Sequence, residues 1–346
     1  MNFRRITNIE QYRFLMRSLK ESTEGRRSLP YIDDPVVGHA TIGIGYDLTD
    51  ATTRARVLQE LGLSPTGATA QQYAAVEAVF TQNWRGQTNQ ALQDAVNAAY
   101  GGVLSLTNAQ IDAIFADFNI RFENIVNKWA TANTLGTIPP SYERAVFVSL
   151  AYNMGTPGSR LAGAIRNDDR AEAWFEIRYA SNEGRASRGV GIAKRRFFEA
   201  ELFGLYDSPA NVQADEAKSV YRMLELNRAK ILLEESLWGL TPDGVRGSNT
   251  DILGRTGLEA AQQDYANLLQ FLPDGRVDSL TANLQPARDA IITWVNAQLP
   301  AGATPITAAM ISNAASIYLE SREPGRTSAT HGFDEIRHQI KADFEA

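Results

Sequence analysis

Residues 31–48, YIDDPVVGHATIGIGYDL, interrupt a chain that otherwise reads as helix. Alternation of apolar residues at period two marks strand, and Asp34-Pro35 marks a turn, so short strands are expected over 29–32 and 40–46. Ahead of them, Asn8 with Gln11 forms a capping-box pattern, and Tyr12, Leu15 and Leu19 lay an apolar stripe along one helix face. Gly25 suits the position just past the end of that helix, which leaves Glu24 at its last turn. A strand pair directly behind a helix end brings Glu24, Asp33 and Thr41 within reach of one another.

The negative end of a helix dipole favours the protonated form of a carboxyl, the form a general acid must hold. Asp33 follows Glu24 by nine residues and falls in a turn, where polar neighbours and water are expected to keep it ionised. Thr41 adds a hydroxyl. One protonated and one ionised carboxyl across a cleft is the arrangement of glycoside hydrolysis. Gly43 and Gly45, read as strand residues without side chains, would let a bulky sugar approach the backbone. The plain alternative is a solvated Glu before a helix-ending Gly and an Asp that only forms a turn. A dinucleotide loop is excluded, because Leu48 occupies the third glycine position and no helix follows directly.

Composition bounds the class. The chain has 346 residues, 44% hydrophobic and 21% charged, which fits roughly two globular domains. It contains no cysteine, which excludes disulfides and thiolate metal sites. Its three histidines, His39, His331 and His338, are too scattered for a catalytic metal site, so no metal or cofactor is expected. A net charge of −6 argues against general nucleic-acid binding. No run nears the roughly 18 apolar residues of a membrane span, so no stable membrane insertion is expected. The N-terminus lacks the apolar core of a secretion signal, so synthesis in the cytoplasm is expected.

Helical patterns fill 52–132, broken by SPTG and YGGVLSLT, with Thr107 as an N-cap. Another apolar helix covers 142–154 and stops at Gly155. YDSPANVQADE, from Tyr206, reads as a linker, giving domains over 1–206 and 207–346. The second domain hides a repeat: DGVRGSNT starts at Asp243 and DGRVDSLT starts at Asp274, 31 residues later. Asp-Gly makes a tight turn, and Ser or Thr caps the helix after it. The fold class expected is mainly α, formally α+β: a lobe with a small glycine-rich sheet, then an all-helical domain.

Glu24-Gly25, Tyr31, Asp33 and the run from Thr41 to Leu48 resemble the signature of the phage-type lysozymes, the group of T-even phage lysozyme and the pesticin-like enzymes. Downstream, LTNAQIDAIFADF, RAVFVSLAYNMG and GIAKRRFFEAELF are similar to later helices of that family, so the likeness covers most of 5–206. It implies a lysozyme-like catalytic lobe and a muramidase that cleaves between N-acetylmuramic acid and N-acetylglucosamine. Glu24 would be the acid, while Asp33 and Thr41 would place the water; Tyr31, Gly43, Tyr46, Tyr152, Asn153 and Arg195 would contact substrate. Inversion is implied, which needs carboxyls about 6.5–9.5 Å apart. Glu21 and Asp34 are adjacent rivals for the two carboxyl roles. The loop between Asp33 and Thr41 is longer than in the T-even enzyme, and Tyr46 stands where phage lysozymes often have His. The basic residues Arg178, Arg185, Arg188, Lys194, Arg195 and Arg196 would either meet wall carboxylates or form a solvated face with an internal salt bridge. Trp174, Phe175, Phe197 and Phe198 read as core.

The C-terminal repeat resembles the helical peptidoglycan-binding modules attached to wall hydrolases, over about 215–290. Asp243, Gly244, Gly247, Thr250, Gln263, Asp274, Gly275, Thr281 and Leu284 carry the likeness, although Asp278 replaces the second unit's Gly. The expected partners are peptidoglycan strands, with a secretion component or immunity protein as a further candidate, and the chain is expected to act as a monomer. The expected place of action is the wall, reached as a phage endolysin or an injected toxin. Other readings are a non-catalytic wall-binding or delivery component on a lysozyme fold, and a lytic transglycosylase.

Overall fold

The computed structural model describes residues 1–181 and 189–308. They are mainly helical, with one small three-stranded antiparallel sheet. The chain divides into two compact units, Arg13–Val126, and Met1–Tyr12 with the described part of 127–346. Both boundaries fall within helices, α1 (Ile9–Glu24) and α5 (Asn108–Ala132).

Within Arg13–Val126, α1 buries Leu15, Met16 and Leu19, as its apolar spacing requires. Its N-terminal N–H groups on Glu10 and Gln11 donate to the Asn8 side chain at 2.9 and 3.3 Å. The sheet follows directly: β1 (Arg27–Ile32), β2 (Ala40–Gly43) and β3 (Tyr46–Asp47), in the order β1-β2-β3. α2 (Ala51–Glu60), α3 (Ala70–Phe80) and α4 (Asn89–Tyr100) come next, with α4 packed on β1 and α3. Thr107 and Gln110 cap α5 reciprocally at 3.2 and 2.8 Å.

The strand expected over 40–46 is instead a hairpin. Gly43 and Gly45 both adopt φ of +69°, which reverses the chain between β2 and β3. The alternating pattern is correct for the strands, but its glycines supply the turn, not an open strand surface. A Cβ on Gly43 would lie 2.4 Å from the Tyr46 ring, so this glycine exists to let that ring pack.

In the other unit, α6 (Tyr142–Met154) is capped by Ser141 and stopped by Gly155 at φ of +85°. It is buried from Glu143 through Ala151. α7 (Ser159–Arg166) and α8 (Arg170–Phe175) lead into a π-helical turn, Glu176–Ala180. α9 (Val190–Phe203) packs on α6 and on α11 (Gly257–Asp264), while α10 (Ala214–Trp238) packs on α8 and α12 (Leu280–Gln298). The boundary expected near 206 therefore lies inside this unit.

Its polar interior explains why. Arg178 is fully buried and bonds Glu201 at 2.9 Å, Glu235 at 3.2 Å and the Asp278 carbonyl at 3.1 Å. Tyr179 donates its hydroxyl to the same Glu235 oxygen at 2.7 Å, and Asn283 donates to Glu201 at 2.5 Å. These bonds tie the turn after α8 to α9, α10 and the start of α12. Burial pushes the Glu201 carboxyl up to about 7, against the lowering effect of Arg178. Trp174, Phe175, Phe197 and Phe198 are all buried.

Candidate active site

The carboxyl pair sits at the seam between α1 and the sheet. Gly25, at φ of +75°, ends α1 with its N–H on the Glu21 carbonyl at 2.8 Å, which fixes Glu24 on the last turn. Glu24 is partly exposed, and Lys20, one turn earlier, lies 3.5 Å from its Oε1. The rival Glu21 is engaged by Arg26 and, at 3.9 Å, by Arg17. Asp34 accepts from the Val36 N–H at 2.7 Å and so acts as a turn former.

Across the sheet, Tyr31 pairs with Thr41, and Thr41 pairs with Asp47. Residues directly opposite in antiparallel strands point to the same face, so Tyr31, Thr41 and Asp47 form one row. Asp33 continues beyond β1, held by its N–H to the His39 carbonyl at 3.2 Å. His39 Nδ1 lies 3.4 Å from Asp47 Oδ2.

Asp33 is exposed, yet the protein around it pushes its carboxyl above the ordinary range. Desolvation is the largest cause, followed by the negative charges of Glu24, Asp34 and Asp47, with Arg27 opposing. The direction of this shift is opposite to the stabilisation of the anion expected from its turn, and does not by itself fix the form held near neutral pH. Tyr31 is pushed up to about 12, by burial first and then by Asp33, with Glu24 adding to it and Arg27 opposing. Glu24, Tyr31, Asp33 and Asp47 thus share one electrostatic neighbourhood. Asp47 is not among the residues singled out from the sequence; it joins the row only because the segment folds as a hairpin, which returns position 47 beside Thr41.

Tyr46 does not belong to this face. It is fully buried, donates its hydroxyl to the Ile111 carbonyl at 2.8 Å and stacks edge-on against Phe118 at 5.3 Å. Gly43 likewise has a packing role. Neither is available as a substrate contact.

Tyr152, Asn153 and Arg195 belong to the other unit. Arg195 is buried, bonding Glu199 at 3.0 Å and Ser149 at 3.1 Å, with its guanidinium 5.8 Å from the Tyr152 ring centre. Arg196 donates to Asn153 at 2.6 Å and also pairs with Glu199. Lys194 bonds Asp264 at 2.5 Å. With Arg178 buried as well, the described part of the basic run ties helices together and is no open cationic patch. Arg185 and Arg188 lie outside the described residues, as do His331 and His338.

In the C-terminal repeat, Asp243-Gly244 and Asp274-Gly275 both turn through glycines in the left-handed region, φ of +79° and +64°. Gly247 is held by close packing, since a Cβ there would meet the Leu237 carbonyl oxygen at 2.9 Å. Thr250 is exposed and does not cap the following helix. Thr256 does, in a capping box with Glu259. In the second unit Ser279 caps α12, and Thr281 lies inside it. Asp274 and Thr281 line an open groove of about 990 Å³ along α12, together with Asp278, Gln285, Asp289 and Trp294.

Among the described residues no cluster of His, Asp and Glu is placed to hold a metal ion, and no helix is long and apolar enough to cross a membrane. No family model, curated protein or solved structure matches the chain.

Proposed function

We propose that the chain is a muramidase of the phage-lysozyme type, hydrolysing the bond between N-acetylmuramic acid and N-acetylglucosamine in bacterial cell walls. The observation that supports this best is the row Tyr31, Thr41 and Asp47 beside Glu24 and Asp33, two carboxyls whose charges act on each other. Glu24 protonates the bridging oxygen as the bond to the anomeric carbon breaks. A water held by Thr41 and an ionised Asp33 or Asp47 attacks the opposite face, and that carboxylate takes its proton. Asp47 enters this role because it stands directly across from Thr41. The C-terminal repeat, with the groove along α12, is proposed to hold wall glycan, the enzyme reaching the wall as an endolysin or an injected toxin.

Glu24→Gln keeps the size of the side chain and removes the acid. We expect it to abolish release of reducing ends from purified peptidoglycan while circular dichroism stays unchanged; full hydrolysis by this variant would overturn the reading. Mass spectrometry of the muropeptides separates hydrolysis from lytic transglycosylation, since only the former leaves a reducing muramic acid. Asp33→Asn and Asp47→Asn tell which carboxylate serves the water: the one that does loses activity by a factor of about 100 or more.

A further inference from the structure

The face around Glu24 is rimmed by like charges: Asp33, Asp34 and Asp47 all surround the same stretch. Cations nearby are already engaged. Lys20 pairs with Glu24, Arg17 bonds Asp112 at 3.1 Å, and Arg26 bonds Asp112 at 2.7 Å. Arg27 is different. It opens β1 as an exposed residue and, among the described residues, takes part in no ion pair. Its guanidinium lies over the ring of Tyr31, 4.2 Å from the centroid. Tyr31 is buried and fixed by its pairing with Thr41, so the cation is held on a rigid platform. Stacking uses the flat face of a guanidinium and leaves its N–H edge to take a carboxylate in two parallel bonds.

We infer that Arg27 is a carboxylate-binding residue of this face, engaging a carboxylate of the wall polymer. The inference rests on the muramidase reading and adds to it how an acidic rim accepts an acidic polymer. Two parts of the wall carry that chemistry: the stem peptide, and the lactyl group of muramic acid wherever the peptide has been removed.

The test measures kcat and KM of the full chain, Arg27→Ala and Arg27→Lys on three substrates: intact peptidoglycan, strands stripped of peptide by an amidase, and stripped strands whose carboxyls are reduced to alcohols. Because Arg27 is exposed, both variants should melt as the native chain does. We expect Arg27→Ala to raise KM roughly tenfold or more on a carboxylated substrate, as loss of a charge-assisted pair predicts, with Arg27→Lys in between. On reduced strands all three proteins should match. A loss on stripped strands assigns the lactyl group, and a loss on intact wall alone assigns the stem peptide. An equal loss on reduced strands, or none on any substrate, overturns the inference. If the native chain releases no reducing ends from any of them, the muramidase reading fails by itself. In that case the Arg27 Nε–H resonance decides: a shift with N-acetylmuramic acid but not N-acetylglucosamine supports the role, and no shift overturns it.

Discussion

At the scale of single residues, one carboxyl of the candidate site, Asp33, is displaced from its ordinary behaviour. Asp33 is raised by desolvation and then by Glu24, so removing the latter charge has a signed consequence. In Glu24→Gln the Asp33 carboxyl should titrate at lower pH than in the native chain, read by carbon NMR of the side chain. An unchanged titration would mean that the two groups do not interact. Glu201 gives a second test. Its folded value of about 7 lies above its ordinary 4.5, so the folded state binds the extra proton between those limits. Stability from this group is therefore fully present below about 4.5 and is lost as pH rises through about 7. Glu201→Gln should flatten the fall in melting temperature across that window; a variant with the native slope would refute the assignment.

At the scale of elements, the hairpin depends on Gly43. An alanine there faces both a left-handed backbone and the Tyr46 ring, so Gly43→Ala should cost about 1–3 kcal/mol in urea unfolding. In the C-terminal repeat, Thr256→Ala should cost about 1 kcal/mol through loss of the cap, and Thr250→Ala almost nothing. Equal effects would contradict the capping geometry. These cases mark what was legible in the sequence. The stripe of α1, the Thr107 cap, the bounds of α6 and the existence of a small sheet follow from local periodicity and turn residues. The hairpin did not, because a glycine inside an alternating run looks the same whether its φ is negative or positive. Nor did the fate of Tyr46, whose burial depends on α5, more than sixty residues along. The sequence gives the sign of Arg178, Arg195 and Arg196; their partners Glu235, Ser149 and Asn153 are set only by tertiary packing.

At the scale of the molecule, the Arg178 network spans the linker predicted at 206. A chain ended there loses Glu235, Asp278 and Asn283, and leaves Arg178 with Glu201 as its one carboxylate partner in the network, beside the Tyr179 hydroxyl. Removing one side of a buried charged network costs about 3–5 kcal/mol. The 1–206 fragment should thus melt far below the full chain, or without a cooperative transition, by calorimetry; a fragment that melts like the parent would restore 206 as a domain edge. The same bonds bear on how such a protein can be recombined. A chimera that grafts a foreign module onto residue 206 inherits a buried cation with one of its two carboxylates missing, whereas a crossover placed beyond α12 carries donor and acceptors together. The workable seam for engineering, and for exchange between genes, then lies beyond α12 and not at the visible linker.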